Sequence, residues 1–431
     1  MTDDEPNERS DQDHRGETRL PGNLRRINPT EPAQYLRLNQ CERYLWLRLY
    51  QHTGQSALFK TPRVDLQAIP PLLTQQGGRF EADVERAIKG TFPTVDCREQ
   101  ARQQAGQQVG QADTAAAQQG SGGVKPRDNG PILAAARALR PGEVRAWLQP
   151  HLEARLGDWD VSGDLDILRL WRDRAGTLQA LIVDTKSATA VKIEHGIQLA
   201  FYRAVLAALL EAGGIAGADI GIGVLYRCAA GHGDRLSEDQ TARRQREDAR
   251  RLLGTQAGLL QVLEDPDDYV HAVETLVTGP DSAAARIAAL PLEDAFFVLD
   301  RKCGGCLYNQ FCLRWCHDQD DLSLVPFLSP TDKRTLLGAG VRTVAQLAAL
   351  KRFVKTQSVK TPGNDGGGRP EFWRRLAPTP ATEPIVRALE RTTVGSRLDE
   401  LIHRARRVRR DRARRRRRRA LIPAEKAEAT Q

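Results

Sequence analysis

Apolar positions recur at helical spacing in the first third of the chain. Between residues 32 and 55 the positions Tyr35, Leu36, Leu38, Cys41, Tyr44, Leu45, Leu47 and Tyr50 share one stripe, which predicts a helix. Gly77-Gly78 then opens a second helix over 79–89, with Phe80, Val84 and Ile88 at i, i+4 and i+8. Residues 132–156 are rich in Ala, Leu and Arg at helical spacing and predict a third. The pattern then changes. Residues 161–170 alternate, residues 178–185 contain the run Leu181-Ile182-Val183, and the stretch 172–176 between them has turn character, so a hairpin is expected. A helix over 190–212 ends at Gly213-Gly214, and 220–228 reads as a buried strand. Further helices are expected over 237–263 and 267–276, and a short pair over 330–338 and 343–350 flanks Gly338-Ala339-Gly340. Residues 1–20 are polar and read as disordered, 101–130 as a flexible low-complexity insertion, and 355–369 as a linker.

Composition removes several classes. The chain has 431 residues, enough for two or three domains at roughly 150 residues each. Its hydrophobic share of 40% and aromatic share of 5% are low for a globular protein. No uncharged apolar stretch reaches the ~18 residues of a membrane span, and the acidic N-terminus lacks the apolar core of a signal peptide, so a cytoplasmic protein without a membrane partner is expected. The net charge of +9 is misleading. Residues 404–419 hold twelve Arg and one Asp, and removing that stretch's +11 leaves −2 for everything else. Seven Cys are too few for a disulfide scaffold, and four of them, Cys303, Cys306, Cys312 and Cys316, fall within fourteen residues.

Two groups of residues carry candidate chemistry. Asp164-Leu165-Asp166 falls on the first predicted sheet strand, and Asp184-Thr185-Lys186 ends the second. Residues i and i+2 share a strand face, so Asp184 and Lys186 point the same way. Hard carboxylate oxygens suit Mg²⁺, and an ammonium beside them suits charge developing on a phosphate. Asp166 reaches the same ion if the strands pair, and Glu81 on the upstream helix offers a third carboxylate. Gln198 and Tyr202 stand at i and i+4 on the following helix. In the second group, Cys303-Gly-Gly-Cys306-x5-Cys312 brings thiolates together around a turn that Gly permits. By spacing alone, Cys303, Cys306, Cys312 and Cys316 fit a zinc knuckle, and the first three fit an iron–sulfur centre.

Together these motifs resemble the RecB-like branch of the PD-(D/E)xK nuclease superfamily, in the form that carries a C-terminal three-Cys iron–sulfur motif. The Asp of a Gly-x-x-Asp element matches Asp166, the Asp-x-Lys element matches Asp184 and Lys186, and the Gln-x-x-x-Tyr element matches Gln198 and Tyr202. The resemblance implies an α/β fold, a restriction-endonuclease-like core sheet flanked by helices, with an iron–sulfur clamp and a small C-terminal helical region. It implies that Asp166 and Asp184 bind Mg²⁺ or Mn²⁺, that Lys186 is catalytic, and that Gln198 and Tyr202 hold DNA. Many RecB-like exonucleases carry a His where this chain has Glu81, and other branches of the superfamily use Glu there. An all-oxygen set of that kind favours Mg²⁺ over softer ions. The resemblance also implies a 4Fe–4S cluster on Cys303, Cys306 and Cys312 with a fourth ligand upstream, the position Cys41 occupies, leaving Cys316 as a spare.

The implied activity is a metal-dependent deoxyribonuclease, more an exonuclease than an endonuclease, acting on single strands or ends in repair, recombination or CRISPR spacer processing. Its expected partners are DNA and a helicase or a CRISPR adaptation protein, since no Gly-x4-Gly-Lys-Ser/Thr loop is present to drive unwinding. The alternative is a catalytically inactive iron–sulfur platform that docks DNA for a helicase or integrase. The expected plan is a disordered segment over 1–30, the nuclease domain over 31–320, and a helix-hairpin-helix-like element over 326–354. A linker over 355–370, a helical segment over 371–403 and an Arg-rich tail over 404–431 complete it. Repulsion among twelve Arg disfavours an isolated helix, so the tail is expected to be mobile and to meet nucleic acid by counterion release.

Overall fold

The first predicted helix is two. β1 (Arg26–Ile27) leads into α1 (Thr30–Arg37) and α2 (Glu42–Gln51), and between the helices Asn39 and Gln40 hold φ of 57° and 55°. Two successive left-handed residues stop a right-handed helix, so the two helices share the stripe from Tyr35 to Tyr50. This computed structural model describes residues 26–51, 71–101, 103, 128–188, 190–227, 240–357 and 372–420. Of the N-terminal disorder expected over 1–30, residues 1–25 lie outside the described residues, as does all but the two ends of the insertion expected over 101–130, whereas 26–30 are ordered as β1 and the start of α1.

α3 (Pro71–Thr91) starts earlier than expected and runs through Gly77-Gly78, where a Cβ would meet nothing within 4 Å. After β2 (Thr94–Asp96), the stretch expected to be one helix over 132–156 is α4 (Gly130–Ala138), β3 (Val144–Leu148) and β4 (His151–Leu156). The strand expected over 161–170 is also two, β5 (Trp159–Asp164) and β6 (Ile167–Arg172), which belong to different sheets. β7 (Leu178–Lys186), α5 (Ile193–Ala212) and β8 (Asp219–Arg227) lie close to their expected bounds. The helix expected over 237–263 is α6 (Gln240–Leu253), ended by Gly254 at φ 69°, and then β9 (Gly258–Val262). α7 (Pro266–Val273) and α8 (Ala283–Ala289) follow.

The strands order the site. A six-stranded sheet runs β2-β3-β6-β7-β8-β9, with β2–β3 and β7–β8 parallel and the other neighbours antiparallel. A three-stranded sheet runs β1-β5-β4. Helix propensity among ordinary residues differs by at most about 0.7 kcal/mol each, and burial overrides it in β3, where Trp147 and Leu148 are almost fully buried. Phe80, Val84 and Ile88 of α3 pack with Leu148, Ile167, Leu181 and Val183 on one face of the larger sheet. By the strand period of two, Asp184 and Lys186 face the other way. α5 is long and apolar enough by length and composition to cross a membrane, yet it is a core helix here, with Leu199, Ala200, Phe201 and Leu206 fully buried.

The chain divides into two compact units, Met1–Ser56 with Ile69–Ala295, and Ala57–Ala68 with Phe296–Gln431. The second contains α9 (Asn309–Gln319), α10 (Pro330–Gly338), α11 (Val344–Ala349), β10 (Lys351–Gln357), β11 (Phe372–Pro378), α12 (Glu383–Glu390) and α13 (Leu398–Ala420). β10 and β11 pair antiparallel from Lys351↔Pro378 to Gln357↔Phe372, so residues 355–357 of the expected linker are strand, its remainder lies outside the described residues, and the segment expected to be helical over 371–403 opens as strand before α12. Of the Arg-rich tail expected over 404–431, residues 404–420 are helical, and the rest lies outside the described residues. Leu401, Ile402 and Ala405 anchor α13 in a core with Leu336, Val344, Leu347, Val386 and Leu389. Arg404 donates to the Pro326 carbonyl at 3.0 Å, and Arg412 pairs with Asp320, which offsets part of the repulsion.

Candidate active site and cysteine cluster

The β6–β7 hairpin brings the acidic residues level. Ile167 pairs with Val183, so Asp166, one residue earlier, stands opposite Asp184. Asp164 and Asp166 are not on one strand as expected. Asp164 ends β5, Asp166 precedes β6, and the buried Leu165 between them marks the crossing from one sheet to the other. Asp166 is fixed by Gln149 Nε2 on Oδ1 at 3.1 Å and by the Thr185 amide on Oδ2 at 2.7 Å. Gln149 holds φ 54° in the tight link between β3 and β4. Sequence reasoning missed it, because nothing in a lone Gln marks a turn that aims its amide at a carboxylate.

Asp184 is only 3% exposed. Lys186 Nζ lies 2.9 Å from its Oδ1 and 2.7 Å from its Oδ2, but only Oδ1 receives a well-directed hydrogen bond. Gln198 Nε2 adds a long contact to Oδ1 at 3.4 Å. Oδ2 is left buried without a hydrogen-bond donor among the described residues. Burial pushes the Asp184 carboxyl up to about 7; Lys186 opposes that shift and Asp166 adds to it. Burial, and then the charges of Asp166 and Glu85, raise Glu81 on α3. For Lys186 burial works downward, and the carboxylates of Asp184 and Asp166 more than offset it, so its ammonium is held charged.

Tyr202 Oη donates to the Asp164 carbonyl at 2.6 Å, and its ring is buried. This contact explains Gly163: a Cβ there would stand 2.8 Å from Tyr202 Oη and 3.0 Å from Pro29 Cδ. Gln198 and Tyr202 thus direct their polar groups to the acidic strand ends. His195 was also missed. It sits in the first turn of α5, its Nδ1 accepts from the Lys192 amide at 3.3 Å, and burial followed by the Lys186 charge pushes it down to about 4. A lone His at a helix start carries no signal of its own.

The cysteines occupy a turn and the helix after it. Cys303 lies in a 3-10 turn over Arg301–Gly305, capped by Asp300, and Cys312 and Cys316 lie on α9. Cys306, Cys312 and Cys316 are buried, and burial pushes the Cys303 thiol up to about 11, the nearby Asp300 carboxylate adding to the shift. Cys41 belongs to the N-terminal unit. Among the described residues no three His, Cys, Asp or Glu side chains stand gathered as a ready metal cage. The carboxylate site still fits a hard cation: two acidic side chains meet at one strand end, and a buried carboxylate oxygen receives no directed hydrogen bond from the described residues. Mg²⁺ commonly takes only one or two carboxylates and completes its shell with water and phosphate.

No curated protein matches the chain. Among solved structures, the crystal structure of SSO0001 is similar at 11% identity, covering 67% of this chain and 86% of that chain with a TM-score of 0.27. The PD-(D/E)XK nuclease superfamily matches residues 80–313, more than half of the chain. That span holds Glu81, the β6–β7 hairpin, α5 and the first three cysteines of the cluster, and the chain belongs to the PD-(D/E)XK nuclease superfamily.

Proposed function

We propose that the chain is a metal-dependent deoxyribonuclease of the RecB-like branch, acting on single strands or ends as an exonuclease in repair, recombination or CRISPR spacer processing. The observation that carries this reading is the buried Asp184 with its unmatched Oδ2, beside Lys186 and level with Asp166. Asp166, Asp184 and Glu81 would hold Mg²⁺ or Mn²⁺. Such an ion polarises the scissile phosphate and lowers the pKa of a bound water. Lys186 keeps its proton and places a positive charge where the phosphate oxygens gain charge in the transition state. Thr185 N and Gln149 orient Asp166, while Gln198 orients Asp184. Tyr202 ties α5 to the strand end. The family resemblance implies that Gln198 and Tyr202 touch DNA; their contacts with Asp184 Oδ1 and the Asp164 carbonyl support a positioning role as well.

A 4Fe–4S cluster on Cys303, Cys306 and Cys312 is part of the proposal, with Cys41 as fourth ligand. It is supported by the thiol-only donor set, by the Gly304-Gly305 turn, and by the inclusion of all three clustered ligands in the matched span. The purified chain is expected to be brown and to contain iron; one zinc and no iron per chain would replace this part by the zinc knuckle.

The deciding experiment incubates labelled single-stranded DNA with the chain and Mg²⁺. The wild type should degrade it, EDTA should stop it, and Lys186→Ala should slow it about 10²–10³-fold while the variant stays folded by circular dichroism. Degradation at the wild-type rate in Lys186→Ala would sink the catalytic assignment. A wild type that binds DNA and never cuts it would favour the inactive platform.

A further inference from the structure

The C-terminal unit holds a cavity of about 490 Å³ that the nuclease reading does not use. Phe353, His403, Arg406, Arg409, Arg410 and Ala413 line it. No carboxylate is among these residues. Phe353 projects from β10 and is 51% exposed, an unusual state for a large apolar ring. Its centroid lies 5.7 Å from that of His403, and the Arg406 guanidinium stands 4.7 Å from it. His403, Arg406, Arg410 and Ala413 recur at spacings of three and four along α13, one face of a helix.

The helix divides its arginines by role. Arg404 and Arg412 are bound to carbonyls and carboxylates of their own unit. Arg406 is half engaged: Nε donates to the Ala348 carbonyl at 3.0 Å and Nη2 to the Lys351 carbonyl, while Nη1 is buried with no acceptor. Arg409 and Arg410 make no hydrogen bond or ion pair among the described residues. Three guanidinium groups, two without a partner among the described residues and one with a buried unmatched donor, surround an exposed aromatic ring. Arginine clusters of this kind take phosphate, and an aromatic ring among them takes a base.

We propose that this cavity binds one nucleotide of a single-stranded nucleic acid, with the base on Phe353 beside His403 and the adjoining phosphates on Arg409 and Arg410. A duplex offers phosphates but keeps its base faces stacked, which leaves Phe353 without a role. The volume lies within the ~300–1,000 Å³ range of small-ligand sites, the scale of a nucleotide rather than of a helix. The proposal stands independently of the nuclease site, and it differs from an unstructured basic tail because the ring and the arginines are fixed on paired strand and anchored helix.

The test measures anisotropy of labelled oligothymidylate and oligouridylate on the full chain in EDTA, across a salt series, with duplex DNA in parallel. Phe353→Ala should weaken single-strand binding roughly ten-fold, the size of one base–aromatic stack, without changing duplex binding or the salt slope. Phe353→Trp should retain affinity, and its added fluorescence should be quenched by the oligonucleotide. Arg409→Ala with Arg410→Ala should lower the slope of log K against log salt by about 1.4, two single-strand phosphate contacts at ~0.7 each. Tight binding of either oligonucleotide with these effects supports the site. Equal losses on duplex and single strand, or no effect of Phe353→Ala, would reduce it to a patch that attracts any polyanion and overturn the proposal. Should Phe353→Ala misfold, the absence of quenching in Phe353→Trp overturns it equally.

Discussion

Each of the two units buries a lysine against an aspartate, and the two pairs differ in what surrounds them. In the C-terminal unit Lys333 is 3% exposed and donates to Asp321 Oδ1 and Oδ2 at 2.8 and 3.0 Å, to the Phe297 carbonyl at 2.9 Å and to Ser323 Oγ at 2.9 Å. The Phe297 ring lies 4.2 Å from the ammonium. Burial works upward on Asp321, but Lys333 and the Ser323 amide outweigh it and hold the carboxyl below its usual range. In the N-terminal unit Asp184 has one well-directed ammonium donor, a distant amide, and an Oδ2 that Lys186 approaches at 2.7 Å without a directed hydrogen bond from any described residue, and its carboxyl rises to about 7. A saturated pair stabilises structure. An undersatisfied pair holds free energy in reserve for something that binds there, which is why the strand end of β7, and not the Lys333 pocket, reads as the site.

The comparison is tested most strongly by deleting each lysine. Lys186→Ala is expected to lower nuclease turnover about 10²–10³-fold, the loss seen when one group stabilising transition-state charge is removed. Its thermal midpoint should change little, because Asp184 without Lys186 can take up a proton. Lys333→Met is expected to do the reverse. It strands Asp321 and two further acceptors, and should cost about 3 kcal/mol of stability by urea titration while leaving turnover on short DNA intact. If Lys333→Met abolished turnover in folded protein and Lys186→Ala only destabilised, the assignment of the two pairs would have to be exchanged.

The next effect is a difference in pH dependence. In metal-free protein the Asp184 carboxyl is raised from its ordinary 3.8 to about 7. The native state then binds the extra proton, so this group makes stability fall as pH rises from about 4 to 7. His195, pushed down from 6.5 to about 4, acts oppositely over 4 to 6.5. The signal is therefore the difference between wild type and Asp184→Asn, which should remove the downward contribution and leave a steeper rise with pH. Asp321, depressed, has the opposite sign from Asp184: its contribution is present above about 4 and is lost as pH falls through its folded value. Parallel unfolding curves for wild type and Asp184→Asn between pH 4 and 7 would remove the claim that Asp184 is held partly protonated.

What the sequence made legible follows the same division. β7, α5 and β8 were readable because each is an apolar run long enough to be buried on its own terms, and Asp184, Lys186, Gln198 and Tyr202 were readable because they hang from those runs at fixed spacing. β3, β4 and β9 were not, since Ala-, Leu- and Arg-rich segments have helical composition until neighbouring strands pair with them. The partners of the site were equally hidden. Gln149 reaches Asp166 only through a left-handed backbone turn, and Gly163 matters only because Tyr202 passes within reach of it. The anchoring of α13 depends on acceptors such as Asp320 and the Pro326 carbonyl, far away along the chain, so charge counting alone made it a loose tail.

The smallest effect sharpens the comparison most. Arg387 and Glu383, one turn apart on α12, meet at 2.7 Å, the same separation as Lys186 Nζ and Asp184 Oδ2. Distance alone would rank the two pairs as equals. Yet the side chains of Arg387 and Glu383 are 71% and 45% exposed, whereas that of Asp184 is 4% exposed. Water and salt screen the exposed pair, and ordering two long side chains costs entropy that its attraction barely offsets. Arg387→Ala should therefore cost no more than about 0.5 kcal/mol, and 1 M salt should erase even that. A loss several times larger would mean that separation rather than burial sets the worth of an ion pair in this protein, and the contrast between Lys186 and Lys333 would then lose its basis.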